Sequence, residues 1–177
     1  MKRLLAVLAA SLALAVPLAA AEGQGTDLFA GYSFAKIDDV NRNGANAAVG
    51  FDLFGPVDAF VDASAHWGSS EGTSLDDLTL MAGPGVRFGK RGRVIVFARA
   101  LAGLVRDRAS ISVLDVDISE SSSRFGVLAG GGVDVPVAKR LALRAQGDWL
   151  WNDVPEGSKS SGFRAAAGIV WRFGTMP

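Results

Sequence analysis

The chain has 177 residues, with 18 Lys and Arg against 18 Asp and Glu, one His and no Cys. That length suits one domain with a single closed architecture, and zero net charge excludes the basic excess of a nucleic-acid binder. Without Cys there is no disulfide framework, thiolate metal site, cysteine nucleophile or lipidated N-terminal cysteine, and a single His excludes multi-His metal sites.

Lys2 and Arg3 precede an uncharged apolar run over residues 4–16, which Pro17 breaks. Ala19, Ala20 and Ala21 then put small residues at both positions of a cleavage site. This is the pattern of a secretory signal peptide, cleaved before Glu22. The run is short for a helix that needs about 20 apolar residues to span a bilayer. The expected division is residues 1–21 as signal peptide and residues 22–177 as one barrel domain.

From there the chain alternates with period two, as side chains do on opposite faces of a strand. Residues 27–37 form a first, less regular segment. In the next, Ala47, Val49, Phe51 and Leu53 oppose Asn46, Ala48, Gly50 and Asp52. Val57, Ala59, Val61, Ala63, Ala65 and Trp67 then oppose Asp58, Phe60, Asp62, Ser64 and His66. Over residues 76–88, Leu78, Leu80, Ala82, Pro84, Val86 and Phe88 oppose Thr79, Met81, Gly83, Gly85 and Arg87. Residues 93–106 put Val94, Val96, Ala98, Ala100, Ala102 and Leu104 on one face; Arg93 and Arg99 share the other with Ile95, Phe97 and Leu101. Over residues 124–135, Phe125, Val127, Ala129, Gly131, Val133 and Val135 oppose Arg124, Gly126, Gly130, Gly132 and Asp134. Leu141, Leu143, Ala145, Gly147, Trp149 and Trp151 oppose Arg144, Gln146, Asp148 and Asn152. In the last segment Phe163, Ala165, Ala167, Ile169, Trp171 and Phe173 oppose Arg164, Ala166, Gly168, Val170 and Arg172.

These segments predict about eight strands of ten to thirteen residues, enough for a tilted membrane-spanning strand, which needs ~9–11. Their connections alternate. Residues 55–56, 89–92 and 136–140 are short turns; residues 38–43, 69–75, 107–123 and 153–160 are polar and mostly longer. Short turns at one end and long loops at the other mark an outer-membrane barrel, whose turns face the periplasm. Aromatics supply a second test. Tyr32, Phe34, Trp67, Phe125, Trp149, Trp151 and Phe163 fall on the apolar face near the loop end, and Phe51, Phe88, Trp171 and Phe173 near the turn end. Two such belts match the two interfaces of a bilayer. A soluble β-sandwich or lipocalin-like barrel would keep large aromatics mid-strand. Pro84 has no ladder N–H and predicts a bulge or kink at Gly83-Pro84-Gly85.

With the apolar face to lipid, the interior collects Asp52, Asp58, Asp62, His66, Arg87, Arg93, Arg99, Arg124, Asp134, Arg144, Gln146, Asp148, Arg164 and Arg172. Eight strands leave a bore that side chains fill, so an Arg–Asp network plugging the lumen is expected, with Asp134 and Asp148 beside strands bearing Arg124, Arg144 and Arg164. On this parity Ala167→Arg, toward lipid, should cost more than Ala166→Arg, toward the lumen. His66 is the one candidate for acid–base chemistry, with Asp62 on its face and Ser64, Ser69 and Ser70 nearby in sequence. Small barrels that deacylate lipid A carry His and Ser two apart, facing lipid. Here Ser64 and His66 stand in reverse order and both face inward, so His66 reads as a member of the lumen network. Asp115 and Asp117 read as acidic, solvated loop rather than a cation site.

The chain resembles the small OmpA/OmpX-like outer-membrane β-barrels, described as the outer membrane protein beta-barrel domain. The carriers are Gly31-Tyr32-Ser33-Phe34, Met81-Ala82-Gly83-Pro84, residues 97–103 and residues 168–173. The last segment is similar to the terminal signal read by the barrel-assembly machinery, though residues 174–177 follow its final Phe. The resemblance implies an eight-stranded barrel in a bacterial outer membrane, reached through the periplasm, serving envelope integrity, adhesion or host-surface interaction. No peptidoglycan-binding domain is expected after the last strand.

The reading is therefore an all-β, closed antiparallel transmembrane barrel that is not an enzyme. The alternatives are a small pore and, below it, a lipid-modifying enzyme. No residue is assigned as catalytic, cofactor-binding or metal-binding, and no cofactor is expected. Expected partners are outer-membrane lipid, the barrel-assembly machinery and an extracellular or host-surface ligand, with no nucleic acid.

Overall fold

In residues 26–173 every backbone polar group that meets hydrocarbon must be paired within the protein, and a closed sheet meets that demand without leaving an edge. A computed structural model describes residues 25–37, 40–70, 73–89, 93–113, 116–153 and 159–174. Eight strands run in chain order: β1 (Thr26–Ile37), β2 (Val40–Phe54), β3 (Val57–Ser70), β4 (Thr73–Phe88), β5 (Ile95–Val113), β6 (Val116–Ala138), β7 (Leu141–Asp153) and β8 (Lys159–Phe173). Each pairs antiparallel with the next, and β8 returns to β1 to close the barrel.

Alternation places the residues as the sequence predicts. Leu143, Trp149, Trp151, Phe163, Ile169, Trp171 and Phe173 are exposed on the outer wall. Arg144, Gln146, Asp148, Arg164 and Arg172, on the opposite parity of the same strands, are buried. Tyr32, Phe125, Trp149, Trp151 and Phe163 are exposed at the loop end, and Phe88, Trp171 and Phe173 at the turn end, as expected. Phe34, Trp67 and Phe51 are only half-buried, and Phe54, not expected in either belt, is exposed beside the first turn, where the register shifts.

The turns are held as tightly as they are short. Gly55 has φ of 56°, a left-handed conformation that glycine adopts without a Cβ penalty, and so lets β2 reverse into β3. The backbone N–H of Arg87 donates to the Pro56 carbonyl at 2.7 Å, and that of Arg172 to the Arg140 carbonyl at 2.9 Å, so each of these turns is fastened to the next strand.

Two expectations are corrected. First, the polar segments taken for long loops are largely strand. The β5–β6 ladder runs without a break out to Val113↔Val116, through most of residues 107–123. Likewise β2 begins at Val40, β3 reaches Ser70, β4 begins at Thr73 and β8 at Lys159. Beyond the bilayer both faces of a strand meet water, so hydrophobic alternation ends while backbone pairing continues. Second, Gly83-Pro84-Gly85 is not a bulge. Register is unchanged across it, and among the described residues the register shifts lie instead at Asp52/Phe54 and Pro136/Ala138. The β4–β5 ladder simply lacks the Gly83–Leu101 and Pro84–Ala100 rungs. Both require an N–H at position 84, which proline does not have.

Candidate functional site

The lumen holds the concentrated chemistry of the molecule. Among the described residues, Arg42, Arg87, Arg99, Arg144, Arg164 and Arg172 meet Asp27, Asp58, Asp62, Asp77, Asp134 and Asp148 in a balanced set of side chains almost wholly shielded from solvent. Burying a charge without a partner is costly, so the balance of sign is itself a stability requirement.

The set is tiered along the barrel axis. At the turn end Arg87 reaches Asp27 and Asp58, each at 2.7 Å, and Asp52 at 3.4 Å. Asp134 takes a fork from Arg144, Nε at 2.7 Å and Nη2 at 2.9 Å, and a further contact from Arg172 at 3.1 Å. In the middle, Arg164 spans the bore, donating to Asp62 at 2.8 Å and to Asp148 at 2.7 Å. Arg99 closes the same ring, at 3.1 Å from Asp62 and 3.0 Å from Asp148. Asn46 donates to Asp62 at 3.0 Å and accepts from Gln146 at 2.9 Å, so polar neighbours occupy part of what the arginines leave.

At the loop end the expected grouping around His66 is corrected. Ser64 bonds Thr79 and Arg164, and Asp62 belongs to the middle ring. The side chains of Ser69 and Ser70 lie outside the described residues, as does Asp115, while Asp117 pairs with Ser112 in the ladder. His66 instead lies 2.9 Å from Ser33 through Nε2 and 3.1 Å from Asp77 through Nδ1, and Arg42 donates to the other oxygen of Asp77 at 2.7 Å. Gly44 makes the Ser33 contact feasible. It stands between them on β2, and a Cβ there would come within 2.8 Å of the His66 ring. A serine, an imidazole and a carboxylate in hydrogen-bond order is a hydrolase layout. Here, however, Ser33 has 0% exposure inside a packed wall, which leaves no approach for a substrate carbonyl. The arrangement ties four successive strands together.

The inward list needs three other amendments. Arg93 lies exposed past the turn end, Asp52 sits at the mouth with its side chain 41% exposed, and Arg124 pairs with Asp107 toward the loop end. Charge is also only part of the filling. Phe60, Met81, Phe97, Leu101, Val105, Leu128 and Leu150 form one buried apolar cluster; Phe29, Ala48, Ala142, Ala166 and Val170 form another. They are built into the polar tiers. The Arg144 guanidinium lies 4.4 Å from the Phe97 ring centre and 5.3 Å from that of Phe29, where the negative ring face attracts it. The presence of Ile95, Phe97 and Leu101 beside Arg99 in sequence was the signal for this mixture.

This is a filled eight-stranded bore with outward aromatic belts, and sequence comparison agrees with the geometry. The outer membrane protein beta-barrel domain matches residues 5–173. The chain belongs to this family. As an outer membrane protein beta-barrel domain it is located in the bacterial outer membrane. Among solved structures, the fold is similar to Ail, the attachment invasion locus protein of Yersinia pestis, at TM-score 0.63 and 16% identity, covering 85% of this chain and 99% of that one. It is similar to Neisserial surface protein A at 0.62 and 18%, covering 86% and 98%. The N-terminal barrel of Pseudomonas aeruginosa OprF gives 0.54 and 14%, covering 86% and 100%. No curated protein matches in sequence.

Conductance tests the filling directly. Planar-bilayer recordings of the purified barrel should show no steady ohmic channel, because an eight-stranded bore is just wide enough for its own side chains. Long-lived openings at physiological salt would mean that the middle ring does not block the path.

Proposed function

We propose that this barrel is a non-enzymatic surface-interaction protein, presenting its loop-end hairpins outside the cell for adhesion, with envelope support as the accompanying role. The carrying observation is the β5–β6 hairpin. Among the described residues β6 is last paired to β7 at Gly126↔Asn152, whereas its ladder with β5 continues to Val113↔Val116. The extra ten residues of β6 correspond to roughly 33 Å of strand at ~3.3 Å per residue, far more than a turn needs to close the sheet. The name of Ail, attachment invasion locus protein, and its solved complex with the heparin analogue sucrose octasulfate make adhesion a concrete reading for a similar fold.

Deleting residues 111–118 should leave a folded, heat-modifiable barrel while reducing adherence of expressing cells to host-cell or matrix-coated surfaces. Long surface hairpins tolerate shortening. A variant that fails to fold would place the hairpin in the stability core, and one that adheres normally would remove its role in binding. The export reading is part of the same proposal: residues 1–21 act as a signal peptide, and the barrel-assembly machinery reads the last strand. The exported protein should begin at Glu22 by intact mass. Retention of residues 4–16 would overturn this.

A further inference from the structure

The outer wall carries a hollow that the lumen network does not explain. It lies where β3, β4 and β5 adjoin near the turn end, has a volume of about 380 Å³, and is lined by Val57, Pro84, Val86, Ala98 and Ala100. Two sequence choices create it. Pro84 removes the rungs that would bind it to Ala100, and the alanines facing it across the ladder extend only a methyl group each. On the opposite face Gly85 admits the Phe60 ring, which a Cβ would meet at 2.5 Å.

We propose that this hollow seats one acyl chain of a phospholipid from the periplasmic leaflet. Its position selects that occupant. It is continuous with the wall that the family places against bilayer hydrocarbon, and the side chains that point outward around it, Val57, Pro84, Val86, Ala98 and Ala100, are apolar; Gly85 and Arg99, on the inward parity, complete its floor. Pro84 lies four residues along β4 from Phe88 of the turn-end belt; at ~3.3 Å per residue and a tilt of ~45° this is roughly 9 Å into the hydrocarbon from the interface. That depth holds acyl carbons and no headgroup. The turn end faces the periplasm, so the leaflet is the phospholipid one. The hollow is shallow and open outward, so it offers one apolar face to a chain segment rather than enclosing a molecule.

The test is native mass spectrometry of the barrel released from nanodiscs of phosphatidylethanolamine with phosphatidylglycerol. The wild type should retain one phospholipid under activation that strips bulk lipid. The double variant Ala98→Leu with Ala100→Leu fills the hollow and should retain it at least about fivefold less, a difference near 1 kcal/mol. Ala145→Leu, on the outer wall of β7, should retain it as the wild type does. Equal retention by all three, or a lipid-free dimer of the wild type, would overturn the proposal. Should the double variant not fold, photocrosslinking of the wild type to a phospholipid with a diazirine in its acyl chain decides. Adducts should concentrate on β3–β5 around Pro84, and an even spread over the outer wall would refute the site.

Discussion

Arg164→Met is expected to destabilise the barrel by roughly 3–5 kcal/mol, the cost of leaving a buried charge without its partner. Arg164 has 0% exposure and holds Asp62 and Asp148 from β8, with a further bond of 3.0 Å to Ser64. Met fills much of the same volume, so the loss is mainly electrostatic. After the change two carboxylates share Arg99 alone. Adding Asp148→Asn restores the balance of charge and should recover part of the loss. That recovery separates an ion-pair effect from a packing defect. Equilibrium urea unfolding in lipid vesicles, read by heat-modifiable mobility, measures both. A single variant that loses less than about 1 kcal/mol, or a double variant that adds its costs, would mean the ring is well hydrated.

Ala166→Arg should be worse than Ala167→Arg, the reverse of what strand parity alone predicts. Ala167 faces lipid, where a basic side chain near the midplane costs about 2–4 kcal/mol. Ala166 does face the lumen, as expected, but it is 5% exposed and packed with Phe29, Ala48, Ala142 and Val170. An arginine there enters a packed apolar cluster whose members carry no charge, so overpacking adds to the cost of burying a charge, for a total above about 4 kcal/mol. Folding yield into vesicles with both variants in parallel decides. If Ala166→Arg folds more readily than Ala167→Arg, this side of the lumen is open and wet.

The contrast between these two alanines shows what alternation can carry. Parity says which wall a residue faces, because a strand has only two. It does not say whether the space on that side is water, a carboxylate or a phenyl ring. Phe60 and Leu128 were on the inward parity in plain sight, yet the expected filling was an Arg–Asp network. The same limit explains His66. Its neighbours Ser64 and Asp62 are close in sequence, but its partners come from β1 and β4, and the Ser33 contact depends on a missing side chain at Gly44.

What the sequence determined by itself was the eight strands, their faces, the two aromatic belts and hence the membrane. These follow from a local period of two imposed by the bilayer on every spanning segment. Strand length outside the bilayer, the charge partners and the apolar share of the lumen were decided only in the closed barrel. Each depends on register between strands and on side chains that meet across the bore. Arg164 and Asp62, 102 positions apart, become neighbours only when β8 closes on β1.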